Sequence, residues 1–411
     1  MKKLIYIFIC LSQIQACGDS SSNTPTDISE QVSSPVVSRY DNSSLDPDVI
    51  QSFKDLEALM IAASPDGTLA GFKLPGDTEY ELFPADPQNP ITLEKVELGK
   101  LIFHETGITA GISGVENTWS CASCHHAKAG FKAGIAQGIG EGGQGFGQAG
   151  EGRTVIPGME GVADVQPIAT PTALNTAYQE VMLWNGQFGN QSNGVINADI
   201  DTSILSTEGT PKAANKFGLS GLETQVIAGV GVHRLDVSET SILRTNSSYI
   251  ELFGLAFPDG YDDLLVAASK AIAAYERSLL ANNSPFQMWL QGNNESMGHA
   301  EIEGAKVFFG KAGCSDCHTG PALSSPINAT KDEMFMSVGF GDLDYNNDII
   351  GSIDDSVRRG RGGFTQDASD DYKFKIPQLY NLKDTSVFGH GASFRSIEDV
   401  VEYKIAGVPQ V

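Results

Sequence analysis

Positive charge is scarce in this chain. Across 411 residues, 27 Lys and Arg stand against 51 Asp and Glu, a formal net charge of −24. No Lys/Arg-dense stripe is present to neutralise phosphates, which argues against a nucleic-acid binder and against a basic protein of the membrane surface. Long apolar runs are also missing. The longest opening run, Leu4 to Leu11, covers eight residues, far short of the roughly 20 helical residues that cross a bilayer. Cysteine is rare, at six residues, too few for the dense disulfide framework of small secreted folds. The remaining composition, 41% hydrophobic and 19% charged, is that of a globular protein with room for two or three domains.

What the N-terminus does have is an address. Met1-Lys2-Lys3 precedes the apolar run, and Ile14-Gln15-Ala16-Cys17 places a small residue before a cysteine. This reads as a secretory signal. It resembles a bacterial lipoprotein cleavage box over residues 1–17, with Cys17 as the lipidated first residue of an exported, periplasmic protein. Gly18 after Cys17 favours the outer membrane. Residues 18–50 are rich in Ser, Thr, Asn, Pro and Asp and read as a flexible tether.

Cys10 and Cys17 belong to that leader. The other four cysteines form two identical patterns, Cys121-Ala-Ser-Cys124-His125 and Cys314-Ser-Asp-Cys317-His318. C-x-x-C-H is the attachment sequence of c-type haem. Two thiols add to the haem vinyl groups, and the adjacent imidazole ligates iron. At this content of Cys and His, chance supplies only about 0.0015 such motifs. A zinc ribbon needs its two knuckles about 15–20 residues apart, whereas Cys121 and Cys314 are 193 apart. A thioredoxin-like pair needs a βαβ setting that is absent. The motifs therefore predict two covalent haems, with iron ligands His125 and His318.

Helical periodicity appears from a capping-box-like Ser52 onward, over Leu93–His104, over Asp262–Leu280, and over Glu301–Gly310. With little period-two alternation, these predict a mainly α fold: two cytochrome c-like haem domains with long loops. The first is expected over 51–290 and the second over 291–411. Residues 134–152 hold nine glycines. Gly138, Gly140 and Gly143 fit the dinucleotide fingerprint, but no strand precedes them, so the segment reads as a mobile loop near the first haem.

The surroundings of the two motifs differ. After the second come several potential sixth iron ligands: Met334, Met336, His390, Tyr403 and Lys404. After the first, apart from the adjacent His126, no His occurs before His233. Reducing a peroxide requires a base to carry a proton between its oxygens and a positive group to stabilise the departing hydroxide. The neighbouring His233 and Arg234 offer both. His104 and His299 read as structural or surface residues.

Several stretches in order resemble the bacterial di-haem cytochrome c peroxidase family, from about Leu93 to Gly407. They include Leu98-Gly99-Lys100-Leu101-Ile102-Phe103, Thr170-Pro171-Thr172-Ala173-Leu174-Asn175, and Leu183-Trp184-Asn185-Gly186. Tyr275-Glu276-Arg277-Ser278-Leu279, Phe374-Lys375-Ile376-Pro377 and Gly389-His390-Gly391 continue the likeness. The resemblance implies that the first haem reduces H2O2 and that the second is the higher-potential entry site for electrons. The electron donor implied is a small exported cytochrome c or cupredoxin. It also implies that Trp184 relays electrons between the haems and that Gln225 belongs to the distal pocket. Ten residues after that glutamine, where studied members carry a catalytic glutamate, stands Leu235, which makes His233 and Arg234 the expected replacement. The loop histidine that blocks the first haem in many members has no counterpart among the glycines, so the first haem is expected to be open without reductive activation. Alignment of the second haem's sixth ligand reaches Lys404, with Tyr403 one residue earlier, and Tyr403 is the expected ligand. The family's calcium position is matched by Thr385 but not by Ala169. Members are often homodimers, the stretch Trp184–Gln225 is longer than in compact members, and a further C-terminal helix is expected beyond Val411. Two rival readings share these features: a di-haem oxidase that modifies aromatic residues of a partner protein, and a non-catalytic di-haem electron carrier.

Overall fold

The first helix begins a turn earlier than its sequence signal. The computed structural model describes residues 40, 44–112, 114–189, 202–325, 329–342, 353–407 and 409. The leader, nearly all of the tether and residues 190–201 of the long Trp184–Gln225 stretch lie outside them. Helix α1 spans Pro47–Ala63, with the Asp46 carboxylate accepting from the Asp48 amide and Pro47 in the first turn, a favourable start because proline has no amide to leave unpaired. Ser52 is therefore inside the helix, where its hydroxyl donates to Glu303 at 2.7 Å.

The longer helices that follow are α2 (Leu93–His104), α3 (Gly221–Val232), α4 (Ser247–Ala256), α5 (Leu264–Ser278), α6 (Pro285–Leu290), α7 (His299–Phe309) and α8 (Ile397–Ala406). Among the described residues strand is confined to two antiparallel two-residue ladders, β1 (Gly143–Gln144) with β2 (Thr154–Val155), and β3 (Phe335–Met336) with β4 (Phe374–Lys375). The fold is mainly helical, as its sequence periodicity implies. No described helix is long and apolar enough to cross a membrane.

Helices α2 and α5 pack face to face, and Gly99 is what lets them. A Cβ at Gly99 would lie 1.9 Å from the Ala271 carbonyl oxygen, inside any van der Waals contact. Around this pair gather Leu98, Ile102, Phe103, Val226, Phe253, Leu264 and Ile272, all buried. Helix α3 escaped sequence reading because it is buried on nearly every side, from Leu222 through Val230, so it shows no amphipathic stripe. It is tied to α5 by a buried ion pair, Arg277 to Glu223 at 2.8 Å. Helix α1, although N-terminal, packs on α7, and Phe53 stacks on Trp289 with centroids 5.6 Å apart.

The first half of the glycine-rich segment is a packed wall, whereas residues 144–148 are exposed. Residues 136–143 are buried. The segment folds around the buried Arg153, whose guanidinium donates to the carbonyls of Ile139 and, at 2.8 Å, Gly140. Gly138 is required there: a Cβ would sit 2.5 Å from Thr170 Oγ1 and 3.1 Å from Cys124 Sγ.

Candidate haem sites

Both C-x-x-C-H motifs fold as one tight helical turn. The amides of His125 and His318 donate to the carbonyls of Cys121 and Cys314, each at 3.0 Å. The chain then doubles back and returns a carbonyl to the imidazole. His125 Nδ1 bonds Phe131 O and His318 Nδ1 bonds Leu323 O, both at 3.1 Å. Phe131 and Leu323 both take the left-handed conformation, with φ of 57° and 49°, which aims those carbonyls inward. Committing Nδ1 to a carbonyl makes Nε2 the nitrogen available to a metal. Desolvation pushes the His125 imidazole down to about 4, so it is neutral, the form that ligates. The four cysteines are free of disulfides.

Each motif opens on a cavity. The first, about 990 Å³ of empty space with its open mouth included, is lined by Cys121, Cys124 and His125 and by Gln225 and Gly229 of α3 with its cap residue His233. The second, about 1370 Å³, has Cys317 and His318 in its lining. Both are largely apolar concavities, the usual character of a cofactor site. Thiols, imidazole and space occur together twice, which fits two c-type haems.

The structure separates the pair His233 and Arg234. His233 caps α3 and lines the first cavity, and its Nδ1 meets the Asp164 carboxylate at 2.7 Å. Arg234, with φ of 55°, turns away from the cavity, pairs with the buried Glu141 and donates to Val162 O at 3.2 Å. A helix end followed by a left-handed residue sends adjacent side chains in different directions, which spacing alone cannot reveal. Gln225, about two turns back on α3, lines the same cavity as His233, and Gly229 lies between them with both side chains under 4 Å from its Cβ position. The glycine-rich wall presents Gly140 to this cavity, and no imidazole.

The Tyr403 hydroxyl donates to Val338 O at 2.7 Å and its ring packs on Phe340 and Phe394; it is absent from the lining of the second cavity and lines an adjoining surface cleft that shares Val338, Phe340 and Lys404 with it. Lys404, about 100° further round α8, lines the second cavity instead, together with Met336 and His390. Met334 is buried among Val181, Ala329 and Phe335. His390 stacks on Phe374 at 3.5 Å.

One segment forms the wall shared by the cavities: Pro171, Thr172, Gln179 and Leu183 line both. Trp184 faces the second, its indole N–H donating to Ala169 O at 2.7 Å and its ring lying edge-on to His390. The Thr385 hydroxyl donates to Val387 O at 3.2 Å. Among the described residues no group of three His, Cys, Asp or Glu is placed to hold a further metal ion.

Asp164 carries no signal in the sequence, since the contact with His233 spans 69 residues. Glu276 lines the first cavity, where burial pushes its carboxyl up to about 8. Its setting in the Tyr275–Leu279 stretch marks that segment but not the direction of the side chain.

A family model described as di-haem cytochrome c peroxidase matches residues 93–295. The methylamine utilization protein MauG of Methylorubrum extorquens is 26% identical over 331 residues, 80% of this chain and 73% of its own length. The cytochrome c551 peroxidase of Nitrosomonas europaea is 25% identical over 321 residues, 78% of this chain and 75% of its own length. A crystal structure described as a MauG-like protein associated with microbial copper homeostasis shares the fold. It has a TM-score of 0.56 at 22% identity, over 82% of this chain and 83% of that one. With two haem-attachment turns, each opening on its own cavity, the chain belongs to the di-haem cytochrome c peroxidase family.

Proposed function

We propose that this protein is a di-haem c-type peroxidase that reduces H2O2 to water with electrons from a small exported cytochrome c or cupredoxin. The observation that carries the reading is His233, which lines the first cavity together with His125 and has its Nδ1 held by Asp164. Two c-type haems, attached through Cys121, Cys124, Cys314 and Cys317 and ligated by His125 and His318, would supply the redox chemistry. The chain's own residues do the rest. Asp164 holds the imidazole so that Nε2 is basic toward the cavity. His233 takes a proton from one peroxide oxygen and delivers it to the other, which leaves as water. The Gln225 amide hydrogen-bonds and orients the peroxide. Arg234 plays no part in this scheme. Trp184 and the shared wall connect the two cavities.

Export, a lipid anchor on Cys17 in the outer membrane and homodimer formation belong to the same proposal. So does the division into two haem modules, with α1 joining the second through its packing on α7.

The test uses purified holo-protein, fully oxidised and half-reduced, mixed with H2O2 and a reduced small cytochrome c. Rapid donor oxidation by the fully oxidised preparation is expected, because the glycine-rich wall presents no blocking imidazole. Peroxide consumption with the donor ignored would replace this reading with the oxidation of a partner protein. Inertness in both redox states would make the protein an electron carrier.

A further inference from the structure

In a chain with a net charge of −24, the second cavity is lined by three lysines, Lys132, Lys375 and Lys404, and by no carboxylate. The first is the reverse, with Glu276 as its one acid and no Lys or Arg. None of the three lysines has a carboxylate partner among the described residues. Lys132 Nζ donates to Val387 O at 3.0 Å. Lys375 Nζ donates to Val181 O at 2.8 Å and to Gln179 Oε1. Lys404 lies over the Phe340 ring, 5.0 Å from its centroid. Lys375 also abuts the relay segment, since its amide donates to the Trp184 carbonyl at 2.8 Å.

Lys375 is buried, Lys132 half-buried and Lys404 exposed; burying a cation without a counter-ion is costly, and a methionine would fill the same space without that cost. Burial pulls Lys375 down to about 7 and Lys132 to about 8, so both hold their protons in mildly acidic solution. In a low-dielectric cavity, an uncompensated positive charge favours any added electron, whereas Glu276 in the first cavity, its carboxyl pushed up to about 8, is neutral in mildly acidic solution and supplies no such charge.

We propose that Lys132 and Lys375, with Lys404, make the second haem the easier of the two to reduce, and so set the direction in which electrons cross the shared wall. The inference rests on the two-haem reading above. In the step concerned, the donor protein loses one electron and the second haem iron gains it. Two such electrons, together with two protons, reduce one H2O2 to two waters at the first cavity. The lysines act through charge and make no bond to the reacting atoms.

The test is a spectroelectrochemical titration of holo-protein at about pH 6, where both lysines are protonated. Wild type is compared with Lys132→Met, Lys375→Met, the double variant and the charge-keeping Lys375→Arg. Haem content is measured in parallel. The expected result is a midpoint potential of the second haem that falls in each Met variant, falls further in the double, and stays near wild type in Lys375→Arg. The first haem's midpoint should not move. Unmoved midpoints with two haems bound would overturn the proposal. So would loss of the second haem from every Met variant, which would make the lysines haem-holding groups only. A wild-type protein with fewer than two haems would instead sink the two-haem reading, a result the haem assay reports separately.

Discussion

The imidazole of His233 and the carboxylate of Asp164 meet at 2.7 Å across 69 residues of chain. The segment that carries Asp164 is itself pinned, its amide donating to Glu141 O and its carbonyl accepting from Gly140 N, both at 2.8 Å. A Cβ at Gly140 would lie 2.5 Å from the Asp164 carboxylate, so the glycine clears the space in which this pair forms. Replacing His233 with Ala should cut peroxide turnover by at least about 10²-fold with both haems retained. Asp164→Asn, which keeps the shape but reverses the hydrogen-bonding preference, should cost about 10- to 100-fold. Steady-state kinetics alongside haem absorbance checks both, and near-wild-type turnover in His233→Ala removes that residue from the mechanism.

Arg234 should matter for folding and little for chemistry. Its partner Glu141 is buried and also accepts from the Ile112 amide at 2.6 Å. Arg234→Ala strands that carboxylate and should destabilise by about 1–3 kcal/mol, seen in denaturant unfolding. Turnover of the folded fraction should stay within about threefold of wild type. A loss as large as that of His233→Ala would return Arg234 to the active site.

Tyr403→Phe separates two neighbours on α8. The hydroxyl it removes is committed to Val338 O and Tyr403 is not among the residues lining the second cavity, so the absorption and paramagnetic-resonance spectra of the second haem should not change. Lys404→Met should alter them, because Lys404 lines that cavity. A changed spectrum in Tyr403→Phe would place the phenol on the iron.

Lys375 also predicts a pH dependence of stability. Burial lowers its ammonium from 10.5 to about 7. Between those values the unfolded chain binds the proton more readily, so its release on folding becomes less costly as pH rises. The full cost is present below about pH 7 and fades toward pH 10.5. Wild type should therefore gain stability relative to Lys375→Met as pH rises through that window. Parallel thermal unfolding curves of the two proteins, with a constant gap from pH 6 to 10, would show that the lysine is not desolvated.

Much of this was legible from local chemistry. The two C-x-x-C-H turns, the mainly helical content and the bounds of α2 follow from patterns a few residues long, because attachment, ligation and helical periodicity act over one or two turns. Gly99 stood in a recognisable stretch, and its contact with the Ala271 carbonyl supplies the physical reason for it. Helix α3 was hidden because a helix buried all round loses the contrast between faces on which reading depends. The packing of residues 136–143 of the glycine-rich segment was hidden because local sequence does not show that Arg153 will be buried against it.

What only the tertiary structure decided is where adjacent side chains point and what meets them. His233 and Arg234 are neighbours in sequence, as are Tyr403 and Lys404, yet in each pair one side chain lines a cavity and the other leaves it. A left-handed residue at a helix end did this in the first case and the 100° step of a helix in the second. Asp164 and the carboxylate-free lysines of the second cavity lie beyond local reading for the same reason. Residue types and short spacings belong to the sequence, whereas charge partners and cavity walls come from segments that only folding brings together.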